Sequence, residues 1–292
     1  MKSCPHCHKS LEAPTPPPFN PKLRSVTTGV CHQKSRRDET EAEDRAAGYN
    51  FDLQANDFTF SNELLGRDHI RFIERYEWLG KIGWAVKWCF TARHAGSLAG
   101  VVLMSEPTMA TRYKKYEVLI QRGAASSWAP KNLNSKLVMF SCNWMVKNTG
   151  KRLFTCYSDS TAGEIGTIYQ ACNFMYLGND FGVKKGRLLP TGKIVSARDF
   201  TKTSAMKRWA RALNIQWNPA WCKPNGFQDI KAYPPEIRKT LTDYAHAEAA
   251  KCPIVKQPAK GKYALVVGRD KKEQRELNKV ILFKTFPYPK RS

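Results

Sequence analysis

The segment Tyr157–Tyr176, YSDSTAGEIGTIYQACNFMY, constrains the fold more than any other stretch. Before it, Lys151 to Tyr157 (KRLFTCY) has the apolar and aromatic content of a short buried strand; after it, Ile165, Ile168 and Cys172 recur at helical spacing. The pattern predicts a strand that turns into an amphipathic helix, with Asp159 at the turn. Such turns gather at the carboxyl edge of an α/β sheet, where loops and helix N-termini meet ligands. Two roles are open to Asp159: a reactive carboxylate, or a cap accepting the free N–H groups of the helix that follows.

The flanking sequence supplies the other elements of an α/β mixed sheet. His69 to Trp78 reads as a helix through Ile70, Phe72, Ile73 and Tyr76. Val86 to Ala92 and Leu98 to Met104 read as strands joined by a turn at Arg93-His94-Ala95-Gly96, and Tyr116 to Gln121 as a third strand. The loop Arg122 to Asn132 precedes a helix marked by Leu133, Leu137, Phe140 and Trp144. A further hairpin is expected around Pro190 to Lys193. Short helices are hinted at by Met206, Trp209, Leu213 and Ile215 in a basic region spanning 197–255, and Tyr263 to Val267 forms a last strand before a charged helix. Pro14, Pro16, Pro17, Pro18 and Pro21, followed by the charged run from Lys34 to Arg45, set residues 1–50 apart. The expected organisation is a Cys/His-bearing appendage over 1–50, a core over 51–200, and a basic extension over 201–292 that packs its final strand and helix on the core. Deleting residues 1–50 is then expected to impair engagement of the partner more than folding.

Charge narrows the partner. Forty-eight Lys and Arg against 25 Asp and Glu give a formal net charge of +23, which indicates a polyanion and favours nucleic acid, whose phosphates bind Lys and Arg with release of counterions. No apolar run approaches the ~20 residues that span a bilayer, and the N-terminus lacks a signal-peptide hydrophobic region, so a cytoplasmic location is expected. Nine cysteines, several in apolar strand and helix patterns, argue against a disulfide framework. The N-terminal Cys4-Pro5-His6-Cys7 does not sit where a redox pair would, at a helix start after a strand. Cys4, Cys7 and Cys31, with His32 or His8, make a candidate zinc knuckle; an unmetallated tail is the other reading.

The order helix, hairpin, strand, loop, helix, strand, helix, strand resembles the GCN5-related N-acetyltransferase fold. Three places, QRGAASSWAPKNLNSKL (Gln121–Leu137), YSDSTAGEIGTIYQACNFMYLG (Tyr157–Gly178) and KGKYALVVGRDKKEQ with FPYPKR near the end, resemble the Mom family of bacteriophage DNA-modification proteins, a divergent branch of that fold. The resemblance covers roughly residues 65 to 195 and the C-terminal part. It implies a transferase that modifies the N6 amine of adenine in phage DNA and shields it from restriction, using acyl-CoA or a related donor. Where acetyltransferases carry Gln/Arg-x-x-Gly-x-Gly/Ala, this chain reads Gln121-Arg122-Gly123-Ala124-Ala125-Ser126. Where Mom proteins tend to carry a His-Tyr pair, it reads Tyr76-Glu77-Trp78.

Residue by residue, the helix N-terminus near Lys131, with Arg122, Gly123 and Asn132, suits the phosphates of a donor. Adenine N6 is a weak nucleophile, so its proton must leave as the new bond forms. Asp159 is the expected base, its pKa raised by partial desolvation, with Tyr157 and Ser135 assisting. Glu164, Tyr169, Asn173 and Trp128 are expected to meet the acceptor; the other readings are that Glu164 favours the helix dipole, Tyr169 belongs to the core and Asn173 bonds the backbone. Two competing readings keep other outcomes open: an acyl-CoA-dependent N-acyltransferase acting on a small molecule or peptide amine, and a non-catalytic nucleic-acid-binding protein.

Overall fold

The apolar run Ala99 to Met104 is buried along its whole length, and its side chains alternate between two cores. Val101 and Leu103 pack with Phe72, Ile73 and Tyr76, while Val102 and Met104 pack with Leu133, Leu137 and Phe154. A strand covered on both faces has no polar side to show, hence its unbroken hydrophobicity. The computed structural model describes residues 30–83, 85–107, 111–179, 185–192, 194–223, 228–256 and 260–290. The chain divides into two units, residues 1–181 with 260–292, and residues 182–259.

The first unit runs α1 (His32–Ala46), β1 (Thr59–Glu63), α2 (Arg67–Tyr76), β2 (Val86–His94), β3 (Ser97–Ser105), β4 (Glu117–Ala125), α3 (Leu133–Asn148), β5 (Leu153–Ser158), α4 (Thr167–Ala171) and β6 (Met175–Tyr176). The second contains β7 (Lys185–Leu188), β8 (Ile194–Val195), α5 (Arg198–Thr201), α6 (Thr203–Ala212), α7 (Pro235–Ala250) and β9 (Ile254–Lys256). The chain then returns to the first unit with β10 (Gly261–Val266) and α8 (Lys271–Val280). The larger sheet has the order β1-β2-β3-β4-β5-β10-β6. All its neighbours are antiparallel except β4 and β5. That parallel pair is short: Glu117, Val118 and Leu119 face Leu153, Phe154 and Thr155, and the ladder stops there. Beyond Leu119 the two strands part.

In the second unit β7 pairs with β8 in the expected hairpin and with β9 on its other edge. Its helices close over Trp209, Trp221, Tyr233 and Leu241. The basic region is therefore a unit with a core of its own, inserted between β6 and β10, and the expected boundary at 200/201 moves to 181/182.

The expected boundary at residue 50 also moves, because α1 is part of the first unit. Its buried stripe, His32, Arg36, Thr40 and Asp44, is polar. A helix with such a stripe docks through hydrogen bonds, and the last carbonyls of α2 are its partners. Gln33 Nε2 donates to the Tyr76 carbonyl at 2.7 Å, Arg36 Nε to Arg75 at 2.6 Å and Arg36 Nη2 to Glu74 at 3.2 Å. Those carbonyls lack intrahelical donors. Asp44, fully buried, accepts from Arg75 Nη2 (2.8 Å), Tyr76 Oη (3.0 Å) and Ser127 Oγ (2.5 Å).

The strand-to-helix turn differs from the sequence expectation as well. Helix α4 is a single turn starting after Gly166, and Asp159 instead begins a 3-10 turn over Ser160–Ala162. Gly163 (φ 68°) and Gly166 (φ 67°) both take the left-handed conformation and stop the helix from reaching back to Asp159. A Cβ on Gly166 would lie 2.5 Å from the Tyr263 ring, and one on Gly163 would lie 3.0 Å from Cys31 Cα.

Breaking the buried Asp44 node leaves the Tyr76 and Ser127 hydroxyls without their acceptor and Arg75 with only the more exposed Glu43, 3.0 Å away. Asp44→Ala should lower unfolding free energy by about 3 kcal/mol, read from urea denaturation; a change within 0.5 kcal/mol, the usual size for a surface site, would show that α1 contributes little to the fold. Deleting residues 1–50 removes the same node and should unfold the first unit.

Candidate active site

Where β4 and β5 part, a cavity of about 490 Å³ opens between them. Its walls are the second half of β4 (Leu119 to Gly123), the end of β5 with the turn that follows (Tyr157 to Asp159), the Gly163–Tyr169 segment, the Glu77–Leu79 segment after α2, the start of α3, and the first turn of α1. Docking of α1 places Cys31, Gln33, Lys34 and Arg37 on this wall. Gln33 also brackets the neighbouring segment: its Oε1 accepts from Trp78 N at 3.2 Å while its Nε2 holds the Tyr76 carbonyl. Glu77 and Trp78 are thus fixed by a side chain from α1. Arg37 is held by the carbonyls of Ser127 and Ala129, both at 2.8 Å.

Two carboxylates on the wall share one electrostatic character. Glu164 Oε1 accepts from Trp78 Nε1 at 2.7 Å and its Oε2 from Asp159 N at 2.9 Å. Burial pushes its pKa up, and those two hydrogen bonds offset the push only in part. Glu77 is buried and accepts from Gly80 N at 2.7 Å, with Arg122 Nε 3.9 Å from its other oxygen. Burial raises its pKa too, against the pull of Arg122, and the charge of Glu164 adds to the rise. Asp159 runs the other way. Burial alone would raise it, but hydrogen bonds from Thr161 and the charge of Lys260, 3.4 Å away, hold it below the ordinary carboxylate range. The raised pKa expected for Asp159 belongs instead to Glu164 and Glu77. His32, packed edge-on against Trp78 at 5.3 Å, has its pKa lowered by burial although Asp159 draws it up.

The other expected site residues divide. Tyr157, Arg122, Gly123, Lys131 and Tyr169 lie on the wall with Asp159 and Glu164. Tyr157 is exposed on β5. Arg122 is anchored through Nε to the Lys81 carbonyl at 2.8 Å and through Nη1 to its own neighbour, Gln121. Trp128 is not on the wall: it is buried in the core, stacked on Tyr49 at 5.1 Å and against Phe58 at 5.9 Å. Ser135 Oγ donates back to the Asn132 carbonyl at 2.9 Å, and neither residue is on the wall. Asn173 is an exposed turn residue after α4 with φ 58°, a conformation Asn tolerates well, and lies off the wall. Cys4 and Cys7 fall outside the described residues, and among those described no three His, Cys, Asp or Glu side chains gather as metal ligands. Cys31 and His32 sit at the start of α1. Sequence reasoning missed Glu77, Gln33, Arg37 and Lys260 as wall residues; only the Tyr76-Glu77-Trp78 departure had drawn attention to that place.

The donor set suits a phosphate-bearing, amide-bearing ligand. Lys34, Arg37, Lys131 and Arg122 are among the residues lining the cavity. Asn134 Oδ1, in the first turn of α3, is buried with no hydrogen-bond partner among the described residues. A Cβ on Gly123 would stand 4.0 Å from it and 3.6 Å from Val102, so glycine leaves room there that a side chain would fill. Past Leu119, β4 also turns an edge unpaired by β5 towards this space.

Comparison with known proteins adds a family. The Mom protein family matches residues 68–231, over half of the chain. No curated protein matches the chain. Among solved structures, the chain is similar to a GNAT family acetyltransferase from Elizabethkingia anophelis with acetyl-CoA bound (9% identity, 73% of this chain and 99% of that one, TM-score 0.37). It is also similar to an acetyltransferase from Bacillus subtilis in complex with CoA (10% identity, 72% and 99%, TM-score 0.35). A third likeness is the spermidine/spermine N-acetyltransferase SpeG from Vibrio cholerae (14% identity, 44% and 86%, TM-score 0.32).

The opposed shifts predict an order of titration that carboxyl ¹³C NMR can read. Glu164 and Glu77 should titrate above about 4.3 and Asp159 below about 3.9, their ordinary values; Asp159 titrating last would contradict the geometry.

Proposed function

The chain belongs to the Mom protein family, and from that membership and the geometry of the cavity we propose that it is a DNA-modifying transferase acting on the N6 amine of adenine, with acyl-CoA or a related acyl donor. The observation that carries this reading is the pair of carboxylates with raised pKa, Glu77 and Glu164, in a cavity formed where a sheet opens and rimmed by cations.

Lys34, Arg37 and Lys131 would hold the donor's phosphates, and the β4 edge with Asn134 would hydrogen-bond its amide-bearing chain. When bound, a thioester supplies an activated carbonyl carbon. Glu164 would take the N6 proton as the amine bonds to that carbon and the C–S bond breaks, releasing the donor as its thiolate. A carboxylate whose pKa has been raised is a stronger base than an ordinary one. Trp78 N–H and Asp159 N–H fix its two oxygens, which positions the free lone pairs. Asp159 stays ionised beside Lys260 and sets the local charge; two carboxylates whose environments push their pKa values apart take different roles. Adenine must leave the duplex stack to reach the cavity, at a cost of a few kcal/mol, and the exposed ring of Tyr157 offers a surface for the extruded base. In cells, modification in this way would shield the DNA from restriction.

Mass spectrometry of nucleosides from DNA of cells expressing the chain tests the proposal. Wild-type protein should yield an adenine nucleoside heavier by the transferred group. Glu164→Gln should reduce it by about 10²–10⁴-fold, and Asp159→Asn by less. The acid limb of the activity should lie above the ordinary carboxylate range, because the base is lost as pH falls through its raised pKa. Unmodified DNA from the wild type, or a Glu164→Gln variant of full activity, would overturn the proposal.

A further inference from the structure

The second unit carries a charged surface that the cavity chemistry does not use. Helix α6 and the turn after it, Lys202 to Asn214 (KTSAMKRWARALN), contain Lys207, Arg208 and Arg211 and no Asp or Glu. The inward side of α6 is apolar, with Ala205, Met206, Trp209 and Ala210 buried. Lys207 and Arg211 stand one turn apart, and both are exposed. Like charges at this spacing destabilise a helix by a few tenths of a kcal/mol. Among the described residues no carboxylate lies within ion-pair distance of either, whereas Lys202 and Lys251 of the same unit are paired with Asp199 and Glu248. Solvation alone would be served as well by a mixed surface.

Beside these cations the chain builds a notch. Helix α6 ends where Asn214 adopts φ 54°, and Ile215 N donates to the Ala210 carbonyl at 2.8 Å. The turn brings Asn214, Ile215, Gln216 and Trp217 against Lys207 and Arg211, enclosing an open space of about 440 Å³. Trp217 is braced edge-on by Trp221 at 5.3 Å and Tyr233 at 5.8 Å, with Lys207 Nζ 5.7 Å over its ring. The notch therefore presents two cations, two carboxamides and an indole, and no acid. Lys and Arg neutralise phosphates, and Asn and Gln amides donate to phosphate and sugar oxygens, the contacts that set a protein's register on a duplex.

We infer that α6 and the turn through Trp217 form a docking surface for the sugar-phosphate backbone of duplex DNA. This grip is carried by the inserted unit and built from residues separate from the modification cavity. The inference rests on the reading that DNA is the acceptor. It explains why a unit with its own core and a charged, acid-free helix interrupts the transferase chain between β6 and β10.

Fluorescence anisotropy of a short labelled DNA duplex, titrated with the full chain at several salt concentrations, tests it. The Lys207→Gln/Arg211→Gln pair should weaken binding about tenfold and flatten the slope of log affinity against log salt by about 2, since each lost phosphate contact removes about 0.9. Lys271→Gln/Lys272→Gln on α8 makes the same change in net charge and should move both much less. Gln216→Ala, which carries no charge, should weaken binding without altering the slope. Superimposable near-UV circular dichroism establishes that the variants are folded. A Lys207/Arg211 variant that behaves as the α8 control overturns this inference and leaves the DNA assignment standing; a wild-type chain that does not bind the duplex at low salt overturns both.

Discussion

The first unit depends on a helix docked by hydrogen bonds. Helix α1 lays a polar stripe against the C-terminal end of α2, and Gln33 and Arg36 supply the donors that the last carbonyls of α2 lack. Asp44 closes the contact by accepting from Arg75, Tyr76 and Ser127 away from water. A buried carboxylate is costly when unpaired, so this contact is specific: shifting α1 by one residue would leave the charge without partners. The site follows from it. Gln33 holds the backbone on both sides of Glu77, Trp78 emerges from that segment, and its indole N–H reaches Glu164.

A second constraint is the three-residue parallel ladder between β4 and β5. Short pairing leaves the strands free to separate beyond Leu119, and the cavity occupies the separation. The polar groups around it are held at some cost to stability. Glu77 and Glu164 bind their protons more tightly in the folded state than in the unfolded one, so folding loses stability as pH rises through their raised pKa values, while Asp159 acts in the opposite sense and loses its contribution as pH falls through its lowered one. Such a loss at neutral pH is common where catalysis needs a poised base.

Legibility in the sequence tracked apolar pattern. The β2–β3 hairpin, β4, α3 and β5 were all foreseen because each buries an apolar run or stripe. Helix α1 was not, since its buried residues are polar: Arg36, Thr40 and Asp44 fall in a charged run set apart as an appendage, and His32 read as a candidate zinc ligand. Edge strand β1 (TFSNE) has no apolar alternation, and α7 buries only Leu241, Ala245 and Ala249, a stripe made mostly of alanine. Asp159, Glu164, Tyr157 and Lys131, named from the turns that carry them, all line the cavity. Glu77 and Gln33 were not named, because each reaches the cavity through contacts between elements distant in sequence. Trp128 was misplaced for the converse reason: a loop position gave no sign that Tyr49 and Phe58 would close over its ring.

In the proposed reading the opening between β4 and β5 holds the donor. Hydrogen–deuterium exchange of the full chain with and without acetyl-CoA addresses it directly. Binding should protect amides in the second half of β4, from Ile120 to Ala125, and at the start of α3, from Lys131 to Ser135, and leave α6 and α7 unchanged. Protection confined to the second unit, or none at saturating acetyl-CoA, would contradict it.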